Sequence, residues 1–273
     1  MTDAGITPEV TDHAGDAARL LERDGACVLR WPRLAKREVG VAGRAVLGRR
    51  VRVAWDARTI RPNPKPGYPK RIVRDKRLIL ESTVIEDGVL AGKAQPVHTE
   101  GWGLGAARPD VVVFQCAEDP EVGGGSYLLD GPRLVEGLGA GSNGARELVR
   151  FLCDPDGFGR DEPAVSGAAL VGQTRHGRLA VSFELPPPWG CDEGELARRD
   201  ALIERWHRHV REAAARTPRI VLDPGDVLIM DNYRALLGRD PYRGARTYYR
   251  SWFWTDAVFS WPLVTEVPSH RNG

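Results

Sequence analysis

Apolar residues along this chain fall mostly into short runs separated by glycine and proline. Val111-Val112-Val113-Phe114-Gln115-Cys116 is a nearly continuous run of strand length, the pattern of a strand covered on both faces. Residues 247–255 (TYYRSWFWT) are rich in aromatic and β-branched side chains, which favour a pleated, partly buried surface. Segments at 26–30, 78–86, 95–100, 126–130, 169–174, 179–184, 219–222 and 227–230 extend the series, and Arg175-His176-Gly177-Arg178 reads as a hairpin turn. Helical spacing appears instead at 11–24, 34–47, 142–153 and 194–215. In the first of these Ala17, Leu20 and Leu21 share one side, Thr11 or Asp12 can cap the start, and Gly25 ends it. Residues 61–71 hold four prolines, so neither helix nor central strand can persist there, and a surface loop bordering a ligand site is expected. Many short strands with a few helices predict a mainly β architecture, a sandwich or barrel with flanking helices.

A chain of 273 residues is long enough for one domain with a sizeable core. The 42% hydrophobic and 28% charged content is that of an ordinary soluble globule. A formal net charge of only +2 argues against nucleic acid as the main partner, since such domains concentrate basic charge on one face. No apolar run approaches the length of a membrane span, so no membrane partner is expected. The N-terminal MTDAGITPEVTDHAGD lacks the basic start and apolar stretch of a secretory signal. Cys27, Cys116, Cys153 and Cys191 have no metal-like spacing and lie in or near apolar segments, which predicts reduced, partly buried thiols and a cytoplasmic protein.

The candidate chemistry begins at His98-Thr99-Glu100, at the end of an apolar strand. A strand presents residues two apart on the same face, so the imidazole and the carboxylate can reach one ion together. That pair is two thirds of the two-histidine, one-carboxylate triad that holds non-haem Fe(II). Taken alone the triplet is a weak signal, but its surroundings sharpen it. Gly101-Trp102-Gly103 follows directly, then Arg108-Pro109-Asp110 leading into the 111–116 strand, then Gly123-Gly124-Gly125-Ser126-Tyr127-Leu128-Leu129-Asp130-Gly131. Later come Asp223-Pro224-Gly225-Asp226, the strand 227–230, Asp231-Asn232, Gly238-Arg239 and finally the segment 246–255.

In this order and spacing the segments resemble the Fe(II)/2-oxoglutarate-dependent dioxygenases of the TauD/TfdA superfamily, most nearly its clavaminate synthase-like and γ-butyrobetaine hydroxylase-like branches. The resemblance runs from about residue 95 to 256. It implies a double-stranded β-helix (jelly-roll) core over about 78–256 within a single domain spanning 1–273. That domain would have an N-terminal helix-strand unit at 1–60, the proline-rich loop at 61–71 and a helical insert at about 190–216. It further implies Fe(II) as metal and 2-oxoglutarate as co-substrate. His98 and Glu100 match the proximal metal ligands, and Ser126 matches a hydroxyl residue that helps hold 2-oxoglutarate. Arg250 matches the arginine that grips the far carboxylate of the oxo acid, with Arg246 as the close competitor. A guanidinium fork suits a carboxylate in either case. Trp102, Arg234 and Arg239 are candidate substrate contacts, and the proline-rich loop a candidate lid.

The family pattern also asks for a histidine in front of Gly238-Arg239, and this chain has Leu237 there. A leucine side chain has no lone pair to offer. Water, substrate, Tyr233, Asp240 or His270 can be considered in its stead. His207 and His209 stand two apart on a helix, where a solvated face is the expectation; His13 is expected at a helix start and His176 in a turn. Two functions compete. In the first, the chain is an iron oxygenase with an atypical metal site, acting on a small, amino-acid-like metabolite of specialised metabolism by hydroxylation, desaturation or cyclisation. In the second, the fold is kept for binding a small acid or for a non-redox reaction. Retention of Glu100 favours the first, because a carboxylate inside a barrel needs a cation beside it or takes up a proton. Leu237 can also be an introduced substitution.

Overall fold

The computed structural model describes residues 4–32, 38–48, 51–55, 60–61, 71–72, 83–85, 92–101, 109–138, 143–154, 170–173, 179–183 and 193–255. The first half of the chain forms β1 (Gly5–Ile6), β2 (Glu9–Thr11), α1 (Ala14–Asp24), β3 (Ala26–Leu29), α2 (Glu38–Leu47), β4 (Val51–Trp55), β5 (Ile60–Arg61), β6 (Arg71–Ile72), β7 (Thr83–Ile85) and β8 (Gln95–His98). Then follow β9 (Val111–Glu118), β10 (Val122–Gly123), β11 (Ser126–Asp130), α3 (Gly131–Glu136) and α4 (Asn143–Cys153). The remainder is β12 (Val171–Gln173), β13 (Leu179–Val181), α5 (Glu193–Arg216), β14 (Val227–Asp231), β15 (Ala235–Arg239), β16 (Tyr242–Arg243) and β17 (Thr247–Thr255).

Two sheets form the body. The larger runs β2-β3-β14-β9-β17-β4, with β7 also on β17, and the smaller runs β1-β11-β15-β8. Apart from the parallel β2–β3 pair, every pairing is antiparallel. From β8 onward the chain alternates between sheets: β8 in the smaller, β9 in the larger, β11 in the smaller, β14 in the larger, β15 in the smaller, β17 in the larger. That back-and-forth winding is a double-stranded β-helix, a jelly-roll.

Strand alternation sorts the core into three layers. Between the sheets, Ile6, Leu128, Ala235 and Leu237 from the smaller meet Val28, Val112, Phe114, Leu228, Met230, Tyr248 and Trp252 from the larger. On the outer face of the larger sheet, Cys27, Leu29, Val111, Val113, Ile229 and Phe253 pack on Ala17, Leu21, Val39, Ala42 and Val46 of α1 and α2. On the outer face of the smaller sheet, Val97, Tyr127, Leu129 and Leu236 pack on Leu134 of α3, Leu148 and Leu152 of α4, and Leu202, Trp206 and Val210 of α5. The four-residue spacing of that last trio is the apolar stripe of a helix laid on a sheet.

Several local expectations shift. α1 takes His13 as its N-cap without a side-chain capping bond, while Thr11 Oγ1 accepts from the His13 N–H at 3.2 Å. The segment expected as a strand at 219–222 forms only a bridge between Ile220 and Ser126, whereas β15, which carries Leu237, was not predicted as a strand. Its Ala235-Leu236-Leu237-Gly238-Arg239 composition holds no β-branched or aromatic residue; pairing with β11 and β8 on both sides makes it one. The turn expected at 175–178 and most of the proline-rich loop lie outside the described residues, although strands flanking each pair antiparallel, Gln173 with Leu179 and Arg61 with Arg71. Cys27 and Cys116 are buried free thiols, Cys153 is an exposed one, and Cys191 is not described. Among the described residues no helix is long and apolar enough to cross a membrane.

Candidate metal and oxo-acid site

The C-terminal end of β8 and the two residues after it carry the first candidate pair. His98 sits directly opposite Leu237 of β15, and side chains of directly paired residues project to the same face. Leu237 belongs to the layer between the sheets, so His98 faces inward, while Val97 faces the helices outside. Thr99 continues the alternation: its hydroxyl accepts from the Phe183 N–H at 3.0 Å. Glu100 turns back inward and is 5% exposed. The His98 Nε2 and Glu100 Oε1 atoms stand 3.4 Å apart.

The end of the strand is pinned from the other sheet. The chain crosses from β14 to β15 through Asn232, a residue with 0% exposure. Its Oδ1 accepts from the Glu100 N–H at 3.1 Å, and its Nδ2 donates to the carbonyls of Glu100 and Pro109, both at 2.8 Å. Asn232 therefore fixes where the Glu100 backbone lies.

Tautomer chemistry defines what His98 offers. Its Nδ1 lies 3.0 Å from the carbonyl oxygen of Pro96. A carbonyl only accepts, so Nδ1 carries a proton; with the ring neutral, Nε2 presents a lone pair, and with the ring protonated, Nε2 donates to Glu100. That lone pair faces a carboxylate oxygen, which is also an electron-pair donor. Two facing donors call for a proton or a cation between them. Their separation is below the roughly 4.2 Å that two donors bonding one ion at about 2.1 Å can span. An imidazole and a carboxylate are a fitting donor set for Fe(II). Among the described residues, no three His, Cys, Asp or Glu side chains gather to hold a metal ion.

Glu100 already has a cation beside it. Arg250 NH1 donates to Glu100 Oε2 at 2.7 Å. Burial alone would raise the Glu100 carboxyl, but Arg250, then His98 and Trp252, outweigh it and hold the group down at about 2. Retention of Glu100 thus does not by itself demand a metal, which corrects the expectation drawn from the sequence. Arg250 was expected to grip an oxo acid; it reaches inward from β17, stacks 4.7 Å above Trp252 and spends one nitrogen on Glu100. Its Nε is buried and has no hydrogen-bond partner among the described residues.

These groups border one cavity between the sheets. Its polar lining is Gln95, Glu100, Ser126, Arg239, Arg246 and Arg250; its apolar lining is Phe114, Leu222, Leu228, Leu237 and Tyr248. His98 is not itself in the lining, but its Nε2 meets two residues that are, Glu100 and, at 3.2 Å, the amide of Gln95. Arg239 lies over the Tyr242 ring at 4.7 Å, and Arg246 over the Tyr248 ring at 3.9 Å.

Other candidates fall elsewhere. Arg234 donates through Nε and NH2 to Asp130 Oδ2 at 3.0 and 2.6 Å and through NH1 to the Arg23 carbonyl, so it ties α1 to β11 instead of entering the cavity. Tyr233 is buried in the turn between β14 and β15 and does not line the cavity. Asp240 is engaged by Arg219 at 2.6 and 3.0 Å. His207 and His209 are not a solvated face: His207 packs 5.3 Å from the Phe183 ring, and His209 Nε2 lies 2.9 Å from the Leu134 carbonyl. Trp102, His176 and His270 lie outside the described residues. Sequence reasoning missed Asn232 as a clamp and Gln95 altogether.

Fold and cavity together define a jelly-roll with a His-x-Glu pair at the end of the edge strand β8. The chain belongs to the taurine catabolism dioxygenase TauD, TfdA family, whose model matches residues 7–252. No curated protein sequence matches it. Among solved structures it is similar to a taurine dioxygenase from Burkholderia xenovorans, with 20% identity over 89% of this chain and 79% of that one and a TM-score of 0.56. PvcB from Pseudomonas aeruginosa aligns at 16% identity over 89% and 81% of the two chains, with a TM-score of 0.55. An asparagine oxygenase aligns at 18% identity over 89% and 81%, with a TM-score of 0.50.

Proposed function

We propose that this chain is an Fe(II)/2-oxoglutarate-dependent oxygenase of a small, amino-acid-like metabolite, with a metal site that has leucine where the family's second histidine would stand. The observation that carries the reading is the 3.4 Å approach of two electron-pair donors, His98 Nε2 and Glu100 Oε1, beside a cavity lined by three arginines. His98 and Glu100 would hold the metal. Family membership supports the cofactor pair; the substrate class rests on the resemblance of the His-x-Glu triplet.

With iron bound, the centre supplies an oxidant for substrate C–H bonds at the expense of 2-oxoglutarate and dioxygen. The protein's own part is placement. The Pro96 carbonyl holds the His98 ring with its lone pair inward. Asn232 fixes the Glu100 backbone, and Arg250 keeps the carboxylate ionised. With a dication and three arginines against the one carboxylate of Glu100, the cavity carries net positive charge, which favours entry of a dicarboxylate. The Nε of Arg250, with Arg239, Arg246 and Ser126 in the same lining, offers donors for its far carboxylate. Leu237 and Phe114 keep part of the wall dry.

Mixing the protein with Fe(II), 2-oxoglutarate and air is expected to release succinate even without added substrate, and His98→Ala is expected to abolish it. No succinate together with no iron uptake would remove the reading. A second reading, acid binding without redox chemistry, is favoured by the Arg250–Glu100 pair, which satisfies Glu100 without a metal. Calorimetry with 2-oxoglutarate in the presence of a strong chelator separates the two. Metal-independent binding at full strength supports the second, and binding only with Fe(II) supports the first.

A further inference from the structure

Residues three apart on a regular strand point to opposite faces. Gln95 and His98 do not. His98 pairs with Leu237 and Gln95 with Arg239, so three steps along β8 match two along β15. This is a β-bulge at Pro96–Val97, and it turns Gln95 onto the inner face, where it lines the cavity beside Glu100. Bulges of this kind re-aim side chains next to functional sites. Proline is tolerated there because a bulge leaves a residue out of the ladder.

Resting on the metal reading above, we propose that Gln95 supplies the third protein donor, its carboxamide oxygen, to a divalent cation held by His98 and Glu100. The amide end lies 3.2 Å from His98 Nε2, and the Glu100 oxygen lies 3.4 Å from the same nitrogen. With Nδ1 donating to Pro96 and the ring neutral, Nε2 accepts from the Gln95 NH₂ group. A half-turn about the terminal side-chain torsion exchanges nitrogen for oxygen at nearly equal size. That exchange converts a hydrogen-bond donor aimed at the imidazole lone pair into a third lone pair converging with the other two. The side chain opposite His98 is Leu237, which contributes none. The amide comes from the strand that carries His98, and Glu100 lies two residues past its end, so the donor set is carried by one continuous segment and not by two sheets. Carbonyl oxygens are harder donors than imidazole, so the site should hold Fe(II), Mn(II) or Co(II) more weakly than a site with a second histidine.

The test is anaerobic titration with Co(II), read by calorimetry and by its visible d–d absorption, on the wild type, Gln95→Leu, Gln95→Glu and His98→Ala. Thermal melts confirm that each is folded. Gln95→Leu is expected to weaken Co(II) binding by at least about tenfold and to shift the d–d bands, as one oxygen donor is lost. Gln95→Glu, which keeps an oxygen and adds charge, is expected to bind more tightly than wild type. If the wild type binds Co(II), His98→Ala loses it and both Gln95 variants keep wild-type affinity and spectrum, the role of Gln95 is overturned while the metal centre stands. If the wild type does not bind Co(II) at all, the metal centre itself falls and this inference with it.

Discussion

Leu237 is the single side chain whose replacement tests the proposed metal site most directly. It is 6% exposed, packed between the sheets, and directly opposite His98. An imidazole at that position would share the inner face with His98 Nε2 and Glu100. Leu237→His is therefore expected to tighten Co(II) binding by at least tenfold, equivalent to about 1.4 kcal/mol, while costing about 1–3 kcal/mol of stability for burying a polar ring among hydrocarbon. A metal titration paired with a thermal melt reads both. Asn232→Ala removes three hydrogen bonds at once and leaves the Glu100 N–H and two carbonyls buried without partners. A loss of about 2–4 kcal/mol in urea unfolding is expected, with weaker Co(II) binding as Glu100 loses its anchor. The sequence made His98 and Glu100 legible because their spacing is that of one strand face. It hid Asn232, whose partners lie 132 and 123 positions away, and Gln95, because a bulge breaks the period-two rule on which strand reading depends.

At the scale of elements, β9 and β17 were readable because their composition and alternation agree with what they bury. Val112 and Phe114 face the other sheet while Val111 and Val113 face α2; Tyr248 and Trp252 face in while Phe253 faces out. β15 was not readable as a strand, and its Gly238 explains part of the reason. Gly238 pairs with Tyr127 of β11, and a Cβ there would run into the Tyr127 ring. The glycine that weakens the strand signal is the space the aromatic ring occupies on the helix-facing side. Gly238→Ala is expected to cost about 1–3 kcal/mol through overpacking. Tyr127→Ala should cost less in that background than alone, with a coupling of at least about 0.5 kcal/mol. A double-mutant cycle by denaturant unfolding measures it, and strict additivity would show that the ring does not fill the place of the missing side chain. The smaller sheet carries His98 and Leu237 on adjacent strands, so slippage of β15 against β8 would also change which residue faces His98.

Across the whole molecule, one buried carboxyl links stability to pH away from the cavity. Asp110 precedes β9 and has no exposure. Its Oδ2 accepts from the Thr255 N–H at 2.6 Å and the Thr255 hydroxyl at 3.0 Å, while its backbone N–H donates to Phe253 and its carbonyl accepts from Asn232 N–H. It therefore staples the end of β17 to the start of β9 and the crossing from β14. Burial pushes this carboxyl up to about 7, against the opposing effect of its hydrogen bonds to Thr255 and with Asp231 adding to the rise. Because the folded value lies above the ordinary carboxylate range, the folded state holds the proton more tightly than the unfolded chain. The stability this gives is fully present below about pH 4, declines as pH rises through about 7, and is absent above it. Glu100 has the opposite sign, since its folded value is depressed to about 2 and its contribution is lost only in acid. Between pH 5 and 8 Glu100 is flat, and comparison with a variant that cannot ionise at position 110 separates Asp110 from shifted groups elsewhere such as His207 and Asp226. Asp110→Asn keeps an oxygen to accept from Thr255 without ever gaining charge. Wild type is expected to lose roughly 2–3 kcal/mol from pH 5 to 8, and Asp110→Asn to remove most of that slope and to be relatively more stable than wild type at pH 8 than at pH 5. Parallel slopes for the two proteins in urea unfolding across that range would mean that Asp110 is ionised throughout and that its hydrogen bonds to Thr255 and Tyr233 are enough to hold the charge.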